Sequence, residues 1–295
     1  MLRSLAALAV LLALAGCAPP DATPSVQPPG QAPVPVPGTP SPTPTPAPTP
    51  TPPVTPSATP EPAAPAWLGT RPLPRRPDGY GERQPTPPEL DPRRFTLPDT
   101  VAELPGAGFA SQVSAVPADV LARSTWLPGC PVTADQLAYV RLTFWGFDDQ
   151  RHTGELLVDA TVADDVVTVF RQLYRARFPI EQMQITTRAE LDAAPTGDGN
   201  DTESFVCRPS TGSTTTYSQH AYGLAVDVDP FQNPYVKGDL VLPELATAYL
   251  RRDDVRPGVI TPDGPVVRAF ASVGWTWGGS WSSLKDFQHF SQNGR

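Results

Sequence analysis

A proline-rich tract near the N-terminus limits where this chain can fold. Residues 18–66 contain twenty of the chain's 41 prolines, no aromatic residue and two charged residues, Asp21 and Glu61. Such a composition cannot bury enough apolar surface to offset the entropy of ordering the backbone. It favours an extended spacer of about 3 Å per residue in polyproline II conformation. The folded part of the chain is therefore expected after this tract.

The first residues have the layout of an export signal. An apolar run from Leu5 to Ala15 follows Arg3, and it is shorter than the roughly 20 residues that a membrane-spanning helix needs. Residues 14–17 resemble a bacterial lipobox, in which cleavage before the cysteine leaves a lipidated N-terminus. We expect residues 1–16 to be a lipoprotein signal peptide and Cys17 to carry a lipid that anchors the exported chain to the outer face of a membrane. The alternative is an ordinary signal peptide and a secreted chain.

The remaining residues divide into a linker and one domain. Residues 17–104 are expected to be a disordered Pro/Thr-rich linker, of which residues 67–104 lie loosely on the domain or hang free. Residues 105–295 have the size of a single compact domain and contain all three histidines. The formal net charge of −8 and the lack of a basic cluster argue against a nucleic-acid partner. The expected state is a monomer that meets the membrane only through its lipid.

Hydrophobic periodicity within residues 105–295 predicts an α+β domain. The clearest element is a helix over residues 161–178, where acids lie in the first turn and arginines in the last. A short helix is predicted from a capping box at residues 133–136, and another at residues 266–273. Strands are predicted over 138–147, 154–158, 180–188 and 224–228, and in the WTWGG and FQHFS stretches. Because no βαβ rhythm is present, a mostly antiparallel sheet with flanking helices is favoured.

Two cysteines remain once Cys17 is assigned to the lipid. Cysteines of exported proteins are more often paired than free, so we expect a disulfide between Cys130 and Cys207. The alternative is a thiolate that binds metal or reacts with substrate. Cys130 lies in a Pro-Gly-Cys-Pro turn, which favours the structural role.

One stretch of the domain places a histidine and a carboxylate among small residues. In SQHAYGLAVD, a glycine turn and a short strand separate His220 from Asp227, and further along the chain His289 follows Asp286 by three positions. Two imidazoles and one carboxylate are a ligand set of catalytic zinc, which keeps a fourth position for water. A second carboxylate beside them can act as a general base. On spacing alone, two core histidines and two surface aspartates remain the alternative.

These motifs resemble those of a known family. SQHAYGLAVD fits the Ser-x-His-x-x-Gly-x-Ala-x-Asp motif of zinc D-alanyl-D-alanine carboxypeptidases and their L-alanyl-D-glutamate endopeptidase relatives, and DFQHF fits the family's acid-x-x-His motif. The Asn-Pro-Tyr and GWTWGG stretches are similar to one branch of this family, and the likeness extends over roughly residues 125–293. The resemblance implies a hedgehog/DD-peptidase-like fold and hydrolysis of a peptide bond in the stem peptides of cell-wall peptidoglycan.

The resemblance also implies roles for matching residues. It makes three side chains the zinc ligands: His220, Asp227 and His289. It makes Asp286 the catalytic base, at a position where many relatives have glutamate. The family uses an arginine upstream of the first motif to polarise the scissile carbonyl; Arg208 is the candidate and Arg188 is the rival.

Four further residues lie near these motifs or share their chemistry. Ser218 matches the motif's serine and is expected to contact substrate or to orient the loop. Trp281, in a glycine-flanked loop, is expected to border the cleft and to bind substrate. His152 is expected to have a structural or substrate-side role, and Asp229, before Pro230, is expected to be a turn residue.

Two other functions stay open on the sequence. One is a wall-binding or adaptor module that keeps the fold and the zinc but has lost the chemistry. The other is a metal sensor or chelator, which needs a closed coordination shell, whereas only three ligands are visible. The sequence leaves the choice between carboxypeptidase and endopeptidase undecided.

Overall fold

The computed structural model describes Gly30, Gly38 and residues 63–294. The chain divides into two units, Met1–Ser57 and Ala58–Arg295, and residues 63–294 belong to the second. The predicted signal peptide and Cys17 lie outside the described residues. None of the helices in the described part is long and apolar enough to cross a membrane.

The domain contains helices and strands in mixed order. Its α-helices, as far as the chain is described, are α1 (Ala118–Arg123), α2 (Ala163–Arg175), α3 (Arg188–Leu191) and α4 (Pro265–Ala271). The longer strands are β1 (Ser111–Ala115), β2 (Leu137–Trp145) and β3 (Arg151–Asp159). The shorter strands are β4 (Gln182–Met183), β5 (Asp201–Thr202), β6 (Ala225–Asp227), β7 (Tyr235–Lys237), β8 (Leu240–Leu242), β9 (Thr276–Trp277), β10 (Lys285–Asp286) and β11 (His289–Ser291).

Strand pairing within the described residues is mostly antiparallel. Three sheets have the orders β1-β2-β3, β6-β11-β9 and β10-β7-β8, and the pair β4-β5 is parallel. The extended segment 203–206 lies between the first two sheets: the Phe205 N–H donates to the Leu157 carbonyl, and Glu203 pairs with Asp227. The prediction of an α+β domain with mostly antiparallel strand pairing is confirmed, but the described strands form several small sheets and not one sheet.

The helix α2 forms where the periodicity predicts it. The Asp159 side chain accepts a hydrogen bond from the Thr161 N–H, 2.9 Å away, and a 3₁₀ turn over Ala160–Val162 leads into the helix. The buried face of α2 packs against β2 and α4. Each apolar side chain that is fully buried on this face of α2 stabilises the fold by about 1.5–3 kcal/mol relative to an exposed one. The helix ends before Arg177, whose φ of 51° is left-handed.

Local capping interactions explain how two shorter predicted elements turn out in the structure. The strand predicted over residues 180–188 is limited to β4, because Thr187 and Glu190 form a capping box that starts α3. The capping box predicted at residues 133–136 is present and starts a 3₁₀ turn, Ala134–Gln136.

The disulfide predicted between Cys130 and Cys207 is present. It joins the loop after α1 to the segment that leads into the first histidine motif, two regions 77 residues apart in sequence. Both cysteines pack at the edge of a small apolar cluster that includes Leu137, Leu157 and Phe205.

Residues 63–104, here called the N-terminal strap, pack on the domain. Leu90 and Phe95 are buried in a cluster with Phe231 and Tyr249. Arg93 is 1% exposed and forms an ion pair with Glu181 at 2.6 Å. The expected domain boundary at residue 105, and the expectation that residues 67–104 lie loosely or hang free, are therefore wrong. The strap is rich in charged residues and proline, so its composition does not predict that a few of its residues are buried against partners far along the chain.

Candidate metal centre

His220 is positioned by a short turn. It lies in the 3₁₀ turn Gln219–Tyr222, and the Ser218 hydroxyl accepts a hydrogen bond from the His220 N–H at 3.4 Å. The turn ends at Gly223, whose φ of 69° is left-handed. A side chain there would also collide with the backbone of Asp159. The glycine of the motif therefore allows the chain to turn tightly against β3 and to continue into β6.

Asp227 and His289 are positioned by strand pairing. They are directly opposite one another on the antiparallel strands β6 and β11, so their side chains project from the same face of the sheet. Val226 and Phe290, their neighbours, point to the other face and belong to the main apolar core. The alternation of side chains along two short strands thus places a carboxylate beside an imidazole.

The three side chains converge on one point. The His220 Nε2 atom lies 3.2 Å from Asp227 Oδ1 and 3.2 Å from His289 Nδ1, and His289 Nδ1 lies 3.0 Å from Asp227 Oδ1. All three residues are buried. Ligands about 2.0–2.1 Å from a tetrahedral zinc ion are about 3.3 Å apart, so this spacing fits a single small cation.

The backbone fixes the orientation of the His220 ring. Its Nδ1 lies 2.6 Å from the Ser204 carbonyl oxygen, which can only accept, so Nδ1 carries the proton. The Nε2 atom is then left with a lone pair directed at the cluster, as a metal ligand requires. The donor set and its outer support are those of a site that can hold a metal ion.

The charges of the cluster support the same conclusion. Burial acts to raise the pKa of Asp227, but His220 and His289 outweigh it and hold the pKa well below the usual range of an aspartate. Asp227 is therefore a carboxylate at neutral pH. A buried carboxylate beside two imidazole nitrogens offers one negative charge and two lone pairs to a cation.

Asp286 faces this cluster from β10. Burial raises the pKa of Asp286 to about 7, the charge of Asp227 adds to the increase, and His289, His220 and Arg208 oppose it. Its Oδ1 atom is buried and has no hydrogen-bond partner among the described residues. A buried polar atom without a partner is costly, and here it points to a group that comes from outside the protein.

The two candidate arginines lie in different surroundings. Burial raises the pKa values of Asp286 and Glu203, and the positive charge of Arg208 opposes the increase in each. Arg188 instead donates from Nη2 to the Thr125 carbonyl at 2.6 Å and lines a cavity beside the disulfide. The charge of Arg208 therefore acts on Asp286, whereas Arg188 lies beside the disulfide.

The remaining residues singled out from the sequence divide into two groups. The Trp281 ring lies 5.4 Å from the His289 ring and thus borders the cluster. His152 is away from it, with Nδ1 2.8 Å from Asp99 and Nε2 3.0 Å from Asp148. Asp229 is also separate: it is buried, accepts a hydrogen bond from the Glu181 N–H and begins the turn at residues 229–233.

Two residues of the site carry no signal strong enough to be found from the sequence. Glu203 lies opposite Asp227 in the backbone pairing and accepts a hydrogen bond from Thr186. Gly278 lets two elements approach, because a Cβ atom there would lie 2.7 Å from the Asp286 carbonyl oxygen. The only hint for Gly278 is the glycine pair in WTWGG, and Glu203 is one acid in a long polar passage.

The α+β domain thus contains a buried His-Asp-His cluster that could hold a metal ion, with a further carboxylate nearby. Residues 211–292 match the family model described as D-alanyl-D-alanine carboxypeptidase, and this match supports the family resemblance carried by the two motifs. It includes the cluster and Asp286, whereas Arg208 and the disulfide lie before it. No curated protein and no solved structure shows significant similarity to the chain.

Proposed function

We propose that this protein is a zinc-dependent peptidase that hydrolyses peptidoglycan stem peptides, as a D-alanyl-D-alanine carboxypeptidase or an L-alanyl-D-glutamate endopeptidase. The observation that carries the proposal is the convergence of three ligand atoms beside a buried, partnerless carboxylate oxygen. The family match over residues 211–292 supports the substrate class. A hedgehog/DD-peptidase-like arrangement is the fold that we propose with it.

Three residues of this chain would hold the metal. His220 contributes Nε2, His289 contributes Nδ1 and Asp227 contributes Oδ1, the atoms that approach one another in the cluster. A zinc ion bound there supplies Lewis acidity, which polarises a carbonyl and makes water easier to deprotonate.

Asp286 would move the proton. A pKa of about 7 keeps a useful fraction of its carboxyl group in each protonation state near neutral pH. The carboxylate takes a proton from the attacking water, and the resulting acid returns a proton to the leaving amine. Burial is the main cause of the raised pKa, so the closed surroundings of the site prepare this residue for both steps.

Arg208 and Trp281 would act on the substrate. The guanidinium of Arg208 carries a permanent charge that stabilises the negative oxygen developing on the scissile carbonyl, and such donors contribute several kcal/mol in comparable sites. The Trp281 ring beside His289 would form an apolar wall. Ser218 orients the turn that carries His220.

A wall-binding module without activity is the competing function. Such a module needs the three ligands for stability, but it needs neither the partnerless Asp286 oxygen nor the nearby charge of Arg208. These two features favour the enzyme.

The experiment that tests the proposal uses the full mature chain loaded with zinc and defined stem peptides, with products identified by mass spectrometry. Loss of one terminal D-alanine indicates the carboxypeptidase, and a cut between L-alanine and D-glutamate indicates the endopeptidase. A stoichiometric zinc complex that leaves every stem peptide intact would overturn the proposal.

We also propose that the protein is an exported lipoprotein, on the basis of the N-terminal apolar run and Cys17. The proline tract would then give the domain reach from the membrane to the wall. Replacing Cys17 with serine should move the protein from the membrane fraction to the soluble fraction. If it stays with the membrane, the lipid anchor is not at Cys17.

A further inference from the structure

A cavity of about 470 Å³ lies beside the disulfide. Residues 127–130 form one wall, residues 214–217 form another, and Arg188, Cys207 and Pro209 complete the lining. The volume is within the range of sites that bind small molecules or parts of larger ones. The proposed mechanism uses none of these residues.

The lining has the chemistry of an anion site. Arg188 is its one charged residue, three consecutive threonines, residues 214–216, add hydroxyl groups, and no acid from the described chain takes part. Leu127 and Pro128 add apolar surface. A carboxylate attached to an apolar or peptide body fits such a lining.

Arg188 itself lacks a counter-ion. Its Nη2 donates to the Thr125 carbonyl, but its Nε is buried without a hydrogen-bond partner among the described residues. No carboxylate of the described chain forms an ion pair with it. A half-buried cation without a counter-ion is unfavourable, and an anionic ligand in the cavity would supply the counter-ion. The planar guanidinium is suited to a carboxylate.

The cavity is joined to the metal centre by a hairpin. Pro209 pairs with Tyr217, the Ser218 N–H donates to the Arg208 carbonyl, and the Val206 N–H donates to the His220 carbonyl. Tyr217, in the cavity wall, precedes His220 by three positions. At about 3.5 Å per residue, the two residues are at most about 10 Å apart, which is the length of two or three residues of an extended peptide.

The cavity is separate from the residues that are proposed to act on the scissile bond. Neither the three clustered residues nor Asp286 lines it. The terminal carboxylate of a D-alanyl-D-alanine end is only one residue from the bond to be cut, whereas none of the residues proposed to act on that bond lines the cavity. A carboxylate further along the substrate is required.

We infer that the cavity binds a free internal carboxylate of the substrate peptide, two or three residues from the scissile bond, and that Arg188 recognises it. This inference rests on the carboxypeptidase form of the proposed function, because an endopeptidase of the second type would cut next to the D-glutamate itself. In a stem peptide the α-carboxylate of the γ-linked D-glutamate has this chemistry and this distance from the terminal D-alanyl-D-alanine bond. Arg188 is then a specificity residue, which distinguishes wall peptides with the free acid from those with the amide.

The test compares two pentapeptides, L-Ala-γ-D-Glu-L-Lys-D-Ala-D-Ala and the same peptide with the D-glutamate α-carboxylate amidated. The zinc-loaded full chain should have a kcat/KM at least about tenfold higher for the free acid, mainly through KM, as expected for a charge-assisted contact. Arg188→Gln should remove this preference by lowering the value for the acid to that for the amide. Arg188→Lys should restore part of it.

A second variant guards against misfolding of the Arg188 variants. Leu127 is 52% exposed and lines the cavity, so Leu127→Glu should fold normally and repel the free-acid peptide while sparing the amide. Leu127→Gln is the neutral match. Val255→Glu, at a residue that is 61% exposed and outside the cavity, should change neither rate.

Equal rates on the two peptides for the unaltered protein, or a preference that persists in Arg188→Gln, would overturn the inference and leave the proposed function intact. If neither peptide is hydrolysed, the proposed function fails. The inference is then decided by calorimetric binding of the same two peptides to the unaltered chain. Tighter binding of the acid that depends on Arg188 supports it, and equal or absent binding overturns it.

Discussion

Asp227 and His289 lie directly opposite each other on neighbouring antiparallel strands, with 3.0 Å between Asp227 Oδ1 and His289 Nδ1. A shift of the strand pairing by one residue would turn either side chain to the opposite face of the sheet. The apolar neighbours Val226 and Phe290 prevent such a shift, because they are completely buried in the core. The packing of the core therefore sets the distance between two proposed metal ligands.

The first prediction concerns the three histidines. His220→Asn and His289→Asn should lose tightly bound zinc, because each removes one ligand of three, whereas His152→Asn should keep it. Metal content per protein after dialysis, measured by mass spectrometry, distinguishes the variants. Full zinc occupancy in His289→Asn would show that the cluster is not the metal site.

The second prediction concerns Asp286. Asp286→Asn should bind zinc normally but lose about 10²–10⁴-fold in kcat, the usual contribution of a general acid-base residue. Asp253→Asn changes an exposed carboxylate and is the matched control. Retention of near-normal kcat by Asp286→Asn would exclude this residue as the base.

The third prediction concerns the close approach at Gly278. In Gly278→Ala the new methyl group would lie 2.7 Å from the Asp286 carbonyl oxygen and 2.9 Å from its Cβ, so β10 must move. We expect a stability loss of about 1–3 kcal/mol and a drop in kcat, measured by urea unfolding and peptide hydrolysis. Gly108→Ala, where the new methyl group meets open space, should change neither quantity.

The fourth prediction concerns the N-terminal strap. Arg93→Met leaves the Glu181 carboxylate buried without its cation, so the free energy of unfolding should fall by about 3–5 kcal/mol. Arg94→Met changes an exposed neighbour and should have little effect. A chain that begins at residue 105 should be less stable in urea than one that begins at residue 63; equal stability would show that the strap is dispensable.

The fifth prediction concerns His152. Burial acts to lower its pKa, but hydrogen bonds to Asp99 and Asp148 outweigh burial, and the pKa is raised above the ordinary value. Only the imidazolium can donate from both nitrogens to these two carboxylates. Its contribution to stability is therefore complete below the unfolded-state pKa of about 6.5 and is lost as the pH rises through the higher folded-state pKa.

The measurement for His152 is the free energy of unfolding between pH 5 and pH 9. The difference between the unaltered protein and His152→Asn should be largest below about pH 6.5 and should shrink at higher pH. A difference that does not vary with pH would mean that the ring acts through packing on Phe144 alone.

Local patterns in the sequence predicted the features that depend on neighbours along the chain. The alternation in β2 and β3, the period of α2 and the capping box before the 3₁₀ turn at Ala134–Gln136 all repeat within a few residues. The two motifs also predict that three of their residues lie together, and their role as metal ligands stays a prediction. The structure brings His220, Asp227 and His289 together.

The sequence does not predict features that depend on contacts between residues far apart in the chain, or it leaves them open. The strap differs from the expected linker because nothing near Arg93 in the sequence shows that its partner is Glu181, 88 positions away. Glu203 lies at the site because its backbone pairs with that of Asp227. Composition and spacing do not rank the two candidate arginines.

By itself the sequence predicted which side chains could bind a cation, which cysteines pair and where the longest helix and two of the longest strands lie. The tertiary structure alone decided where the domain starts and which of the two candidate arginines lines the cavity. The physical reason is that secondary structure and motif spacing follow from interactions between residues close in the chain. Burial, desolvation and charge pairing arise only when distant segments pack together.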